Sequence, residues 1–248
     1  MDNTYSYESG HFPFLDDAEP GFSERLLDMH LFRSGVARYS PSGSTKKDQA
    51  SFRSDDTLFS NVDQIASLNT LIHQSRFSEA QSLARIITNR YPLQGYAWHA
   101  LGAILLQLGQ VEEALQHLKT AIVLLPADAQ AYNNYGCAQE RLGFMQQAQR
   151  SYQYAISIKP EFAQAHHNLG VVLRALECYE ESIASLQQAI LIKPDYANAY
   201  FNTGLTLIKL NRLEEAANNF QVTLKIKPDH KFAQKALDIV LPHIGSPA

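Results

Sequence analysis

The chain holds nine histidines and two cysteines, the side chains that most often bind metals or act as nucleophiles. Their spacing does not assemble a site. His166 and His167 are adjacent, so on a helix they point about 100° apart and cannot chelate one ion together. His99 and His167 occupy equivalent places in the pattern described below, but Asn133 stands between them. Cys137 and Cys178 are too few for a disulfide framework or a four-ligand zinc site and are taken as unrelated thiols. No G-x-S-x-G, phosphate-binding glycine loop or H-E-x-x-H motif occurs. Neither metal, cofactor nor enzymatic activity is therefore expected. The chemistry that does recur is that of an amide. Asn134, Asn168 and Asn202 sit in the fragments YNNYG, HHNLG and YFNTG. Asparagine is a poor helix former, yet it returns at one helical position. Its two donors and one acceptor match the N–H and C=O that any peptide unit presents.

The elements that carry these amides follow from the prolines. Five of ten fall at 92, 126, 160, 194 and 228, a period of 34 residues. Such a period marks stacked helical hairpins. The blocks are 61–94, 95–128, 129–162, 163–196 and 197–230. Each has two apolar stretches at helical spacing, as in Leu169, Val172, Leu173 and Leu176, then Ile183, Leu186 and Ile190. Position eight of a block is Gly102, Gly136, Gly170 and Gly204. Glycine within a helix costs about 1 kcal/mol relative to alanine, so this row implies close approach of the first helix (A) to the second (B). The small residue expected to face it is position twenty: Ala80, Ala114, Ala148, Ser182 and Ala216. Proline ends helix B. The acids that follow (Asp128, Glu161, Asp195, Asp229) are expected to cap the next helix A or to complement its dipole.

These blocks resemble the tetratricopeptide repeat, whose pattern W-x2-L-G-x2-Y, A-x3-F, P is matched by Trp98, Leu101, Gly102, Ala114 and Pro126 and by their equivalents. Block one departs from it, with Gln64 for the aromatic and Leu68 for the glycine. The resemblance implies an all-α fold, a right-handed alpha-alpha superhelix of five hairpins closed by a C-terminal capping helix at 231–241. It also implies a concave groove lined by positions two, five, six, nine, twelve and thirteen of helix A. The candidate peptide-binding residues are then Asn134, Asn168, Asn202, Tyr96, His99, Asn133, Arg141, His167, Arg174, Asn198, Phe201 and Lys209. Position six is expected on the solvent side. Neighbouring A helices lie about 10 Å apart, a distance an extended peptide covers in about three residues. Three asparagines could thus hold every third peptide unit of a ligand. The asparagine row is similar to that of the superhelical repeats of O-linked N-acetylglucosamine transferases. Endings such as AISIKPEF and AILIKPDY also resemble repeats of bacterial glycosyltransferases of that kind. Two functions follow: a non-enzymatic scaffold binding an extended peptide or helix, or an accessory subunit that recognises substrate for a separate glycosyltransferase.

Outside the repeats, residues 1–60 are a tail. Pro41 to Asp56 has linker composition and is expected to be disordered. Ser23 could cap a short amphipathic helix near 23–33. Two alternatives stand for this tail: a flexible arm, or a segment docking on its own groove or on a partner. Residues 231–241 offer the polar face Lys231, Gln234, Lys235 and Asp238, suited to a solubilising cap. Residues 242–248 form a short end. The net charge of -4 lies wholly in residues 1–60, with 6 basic and 10 acidic side chains; 61–248 carry 15 of each. The groove is therefore expected to be near neutral. No global basic character recommends nucleic acid or a membrane surface. No apolar run approaches the roughly 18 residues of a membrane helix, and the acidic start lacks a signal peptide's features. A cytoplasmic protein is expected.

Overall fold

The computed structural model describes residues 54–244. The short helix expected near 23–33, the tail's docking and residues 245–248 lie outside the described residues. Within them there are eleven α-helices and no strand. The fold is an all-α helical-repeat superhelix. The chain divides into two units, Met1–Arg76 and Phe77–Ala248. The first contains α1, Ser54–His73. This helix begins inside the stretch that composition marks as linker, and before position 61.

The second unit contains α2 (Phe77–Arg90), α3 (Gly95–Gln107), α4 (Val111–Leu124), α5 (Ala129–Arg141), α6 (Met145–Ile158), α7 (Ala163–Ala175), α8 (Tyr179–Ile192), α9 (Ala197–Lys209), α10 (Leu213–Ile226) and α11 (Lys231–Val240). The A helices are α3, α5, α7 and α9. α4, α6, α8 and α10 each pack against the A helix of their own block, α2, α4, α6 and α8 against the A helix of the next, and successive A helices also touch. This arrangement puts the A helices on the inner side. Each core cluster accordingly spans a block boundary. Ala148 and Tyr152 of α6 pack with Leu169, Val172 and Leu173 of α7. Leu186 and Ala189 of α8 pack with Tyr196 and Ala199.

The row of glycines meets a different partner from the one expected. A Cβ on Gly170 would lie 2.6 Å from Leu186 Cγ, and one on Gly136 2.7 Å from Tyr152 Cε1. The close approach is thus made to the large residue at position twenty-four of helix B, not chiefly to the small one at twenty. Position twenty contributes otherwise: the Ser182 hydroxyl donates to the Gly170 carbonyl at 2.7 Å.

Every A helix ends the same way. Residues 75, 109, 143, 177 and 211 all have positive φ. Two backbone bonds close each turn, as where Glu177 N–H donates to Arg174 C=O and Cys178 N–H to Leu173 C=O. This is a Schellman motif, which needs a left-handed residue after the helix. Two blocks supply glycine there, and the others use Ser75, Glu177 and Asn211. Helix starts are less regular. Asp128 alone among the four acids after the prolines closes a side-chain cap, accepting from the N–H groups of Gln130 (2.9 Å) and Ala131 (3.2 Å). For α7, α9 and α11 the cap residue is Phe162, Tyr196 or His230 instead. Position four supports the proline turn from the side: Trp98 Nε1–H donates to Pro92 C=O at 2.8 Å, and His166 Nε2–H to Pro160 C=O at 2.9 Å.

The outer face of α11 is not wholly polar. Phe232 and Ile239 are 68% and 51% exposed beside Lys231, Gln234, Lys235 and Asp238. Two substitutions test the packing rules. Gly170→Val should destabilise the array by about 1–3 kcal/mol through overpacking against Leu186, seen as a lower Tm; an unchanged Tm would refute the close approach. Glu177→Gly should raise stability by about 1 kcal/mol, since a non-glycine residue is strained in the left-handed region. A Tm that falls would show that this turn does not set the strain.

Candidate functional site

The groove positions sort into two layers. Asn133, Asn134, His99, His167, Asn168 and Tyr96 are buried, with Asn133 and Asn168 at 0% exposure. Asn134 and Asn168 therefore do not face solvent, as position six was expected to. Asn202, Asn198, Phe201, Arg141 and Arg174 are half-buried, and Lys209 is exposed.

The buried amides bind one another across repeats. Position six of blocks three, four and five meets position five of the block before, 35 residues earlier. Asn134 Nδ2 lies 2.9 Å from His99 Nε2, Asn168 Nδ2 donates to Asn133 Oδ1 at 3.0 Å, and Asn202 Nδ2 lies 3.0 Å from His167 Nε2. The tautomers follow from these bonds. An amide NH2 can only donate, so His167 Nε2 accepts and its proton sits on Nδ1, 3.1 Å from Asn168 Oδ1. Arg174 Nη2 donates in turn to Asn202 Oδ1 at 3.3 Å. One directional run results: Arg174 to Asn202, to His167, to Asn168, to Asn133. A second, shorter run begins at Gln130, whose Nε2 donates to Asn134 Oδ1 at 3.5 Å. It passes through His99 to Asp128, with His99 Nδ1 3.3 Å from Asp128 Oδ2. Head-to-tail hydrogen bonds polarise and strengthen one another. The physical reason for repeated asparagine is visible here: it is short, and it can donate to the preceding repeat while its oxygen accepts, within its own repeat for Asn134 and Asn168 and from Arg174 of the preceding one for Asn202.

Electrostatics follow burial. Desolvation of His167, with the Arg174 charge nearby, pushes its pKa down to about 4 despite the Asn168 bond, so the ring is neutral near pH 7. Burial raises the pKa of Asp128, but the His99 bond and the two backbone N–H groups outweigh it and hold the carboxyl below its ordinary value. Under the groove floor, Tyr152 Oη donates to Glu140 Oε2 at 2.6 Å and lies 3.4 Å from Cys137 Sγ. Burial first, then the Glu140 charge, pushes the Cys137 thiol up to about 12. Burial also raises the Glu140 carboxyl, opposed by the Tyr152 bond and by Arg141 and Arg174. Arg141 reaches back to the preceding repeat, where its Nη1 donates to the Leu106 carbonyl at 2.7 Å. Among the described residues no cluster of three or more His, Cys, Asp or Glu is placed to hold a metal ion.

Two features escape sequence reasoning. Tyr152 stands at an ordinary core position, and only the packing brings its hydroxyl to Glu140. The bonding of position five to position six needs the stacking of repeats to be known. Position nine, expected in the groove, supplies Ala103, Cys137, Val171 and Leu205, half-buried and one per A helix.

Protonation tests the polar run. The folded pKa of His167 lies below its unfolded value of about 6.5, so below that value the unfolded chain binds a proton that the folded chain does not. Stability should fall as pH drops from about 6.5 towards 4. His167→Phe places the residue type of the equivalent Phe201 there and removes this titration. The Tm advantage of the wild type over His167→Phe should shrink across that window; a constant difference would show that His167 is not held neutral.

Comparison with known proteins agrees with this architecture. Tetratricopeptide-repeat models match residues 102–143, 129–162 and 161–229. The fold resembles that of MamA, with 24% identity over 67% of this chain and 96% of that one, at TM-score 0.59. It also resembles YrrB, described as a TPR protein with an unusual peptide-binding site, with 18% identity over 71% and 90% at TM-score 0.60. TTC0263 of Thermus thermophilus, described as a thermophilic TPR protein, has 22% identity over 73% and 99% at TM-score 0.58. No curated protein matches in sequence. No helix among the described residues is long and apolar enough to cross a membrane. The three repeat models together span residues 102–229, and that part of the chain consists of tetratricopeptide repeats.

Proposed function

We propose that this chain is a non-enzymatic scaffold whose inner face binds an extended peptide segment of another protein. The observation that supports it is the division of the A helices into two layers. A closed hydrogen-bonded layer lies beneath, and half-buried side chains that vary between repeats lie above it. Position nine supplies Ala103, Cys137, Val171 and Leu205 as an apolar line; position two supplies Gln130, Gln164 and Asn198 as hydrogen-bonding groups. Such a surface offers main-chain partners together with pockets for alternate side chains, as extended-peptide recognition requires.

The candidate residues divide accordingly. Asn198, Phe201, Asn202, Arg141, Arg174 and Lys209 touch the ligand. Asn134, Asn168, Asn133, His99, His167 and Tyr96 set the shape of the floor beneath it. The asparagine row acts from below, by fixing the spacing of successive A helices, and Asn202 is its one half-buried member on the ligand side.

Peptide-array binding with paired variants tests this reading. Val171→Gln/Leu205→Gln changes the inner line, whereas Val123→Gln/Leu191→Gln changes two exposed residues on B helices. The inner pair should abolish array binding with the helical circular-dichroism signal retained, at a lowered Tm because Leu205 also packs against the core around Phe220, and the outer pair should leave binding intact. Loss of binding only in the outer pair would overturn the assignment.

A further inference from the structure

Position four of helix A carries a ring that helix B meets with a second ring in blocks two and three. Trp98 stacks on His117 with ring centroids 5.3 Å apart, and Tyr132 packs against Tyr154 at 4.4 Å. The equivalent ring in block four is His166, anchored as Trp98 is, by a bond to the proline carbonyl before it. Its helix B, α8, has Ser185 and Gln188 at the places of His117 and Tyr154, and Ala184 at the place of Gln116 and Arg150. None of the three carries a ring, and Ala184 is the smallest residue at its position. A cleft of about 290 Å³ results between α6 and α8, open to solvent. The buried Leu169 and the half-buried Ile156 and His166 form its floor. Ala184, Ser185, Gln153 and Gln188 stand around its mouth.

We propose that this cleft binds one aromatic ring bearing a hydrogen-bonding group, a phenol or an indole, supplied from outside the chain. Its volume lies just below the roughly 300–1,000 Å³ of ordinary small-molecule sites, so it admits one ring rather than an extended ligand. The floor is apolar on two sides and aromatic on the third. The His166 ring is already fixed by the Pro160 carbonyl, so receiving a second ring costs little ordering. Aromatic pairs favour the offset and tilted contacts made at Trp98 and Tyr132. The two amides and the hydroxyl at the mouth can donate or accept, so a phenol O–H or an indole N–H finds an acceptor there, which a hydrocarbon ring does not use. The ligand thus replaces the ring that blocks two and three supply from their own B helices. Tyrosine or tryptophan of another protein and a free small molecule present the same chemistry. The cleft lies between B helices, away from the inner-face positions, so it stands whether or not the inner face binds a peptide.

Methyl NMR of the full chain tests this with p-cresol, 3-methylindole and toluene as probes. p-Cresol and 3-methylindole should shift the methyl signals of Ile156, Leu169 and Ala184 saturably, through the ring current of the bound probe. Toluene, which lacks the hydrogen bond, should bind about threefold more weakly or worse. Gln188→Tyr and Ala184→Arg fill the cleft with the residues that block three carries at those positions. Each should abolish the shifts at Ile156 and Leu169 while Tm is maintained. N-acetyl-tyrosinamide separates the two sources. Equal movement of the same methyls by it and by p-cresol assigns the site to a side chain of another protein, and movement by p-cresol alone assigns it to a free phenol. If no probe moves these methyls, the site is overturned; if the shifts persist in both variants, its location is. Toluene binding as tightly as p-cresol overturns the requirement for a hydrogen-bonding group.

Discussion

A buried polar side chain must be hydrogen-bonded or it costs stability, about 1–3 kcal/mol for each unsatisfied group. The inner seam of this array depends on that constraint. Asn133, Asn168 and His167 are almost fully removed from water, and each finds its partner in a neighbouring repeat or beside it. The run from Arg174 through Asn202, His167 and Asn168 to Asn133 links three A helices. Apolar packing between B helices and the next A helix holds the repeats together. The polar run makes their spacing specific, because an amide out of register leaves donors and acceptors unmet.

If the inner face binds a peptide as proposed, this arrangement separates stability from recognition. The lower layer uses the polar atoms that could otherwise have met a ligand. The upper layer can then vary from repeat to repeat, and it does: Ala103, Cys137, Val171 and Leu205 differ in size, while Gln107, Arg141, Ala175 and Lys209 differ in charge. Variation on a fixed spacing is what lets a solenoid select one extended chain among many.

Much of the fold was legible in the sequence. The prolines gave the period, the apolar spacing gave helices, and the glycine row announced a close approach. The partner of those glycines was not legible. Either the small residue at position twenty or the large one at twenty-four could have met Gly170, and choosing between them requires the rotation of helix B about its axis. The left-handed turn position was partly hidden too. Gly109 and Gly143 show it, but Glu177 and Asn211 do not. The start of α1 at Ser54 was obscured by serine- and lysine-rich surroundings.

The amides mark the division most clearly. By itself the sequence determined that asparagine recurs at position six, on which helices, and at what interval, because the repeat fixes all three. Only the tertiary structure decided what those amides bond to. Stacking places position six of one repeat against position five of the one before, 35 residues away in the chain, and burial there forces the two to pair. A helical wheel shows which way a side chain leaves its own helix. It holds no information on whether water or another repeat lies in that direction.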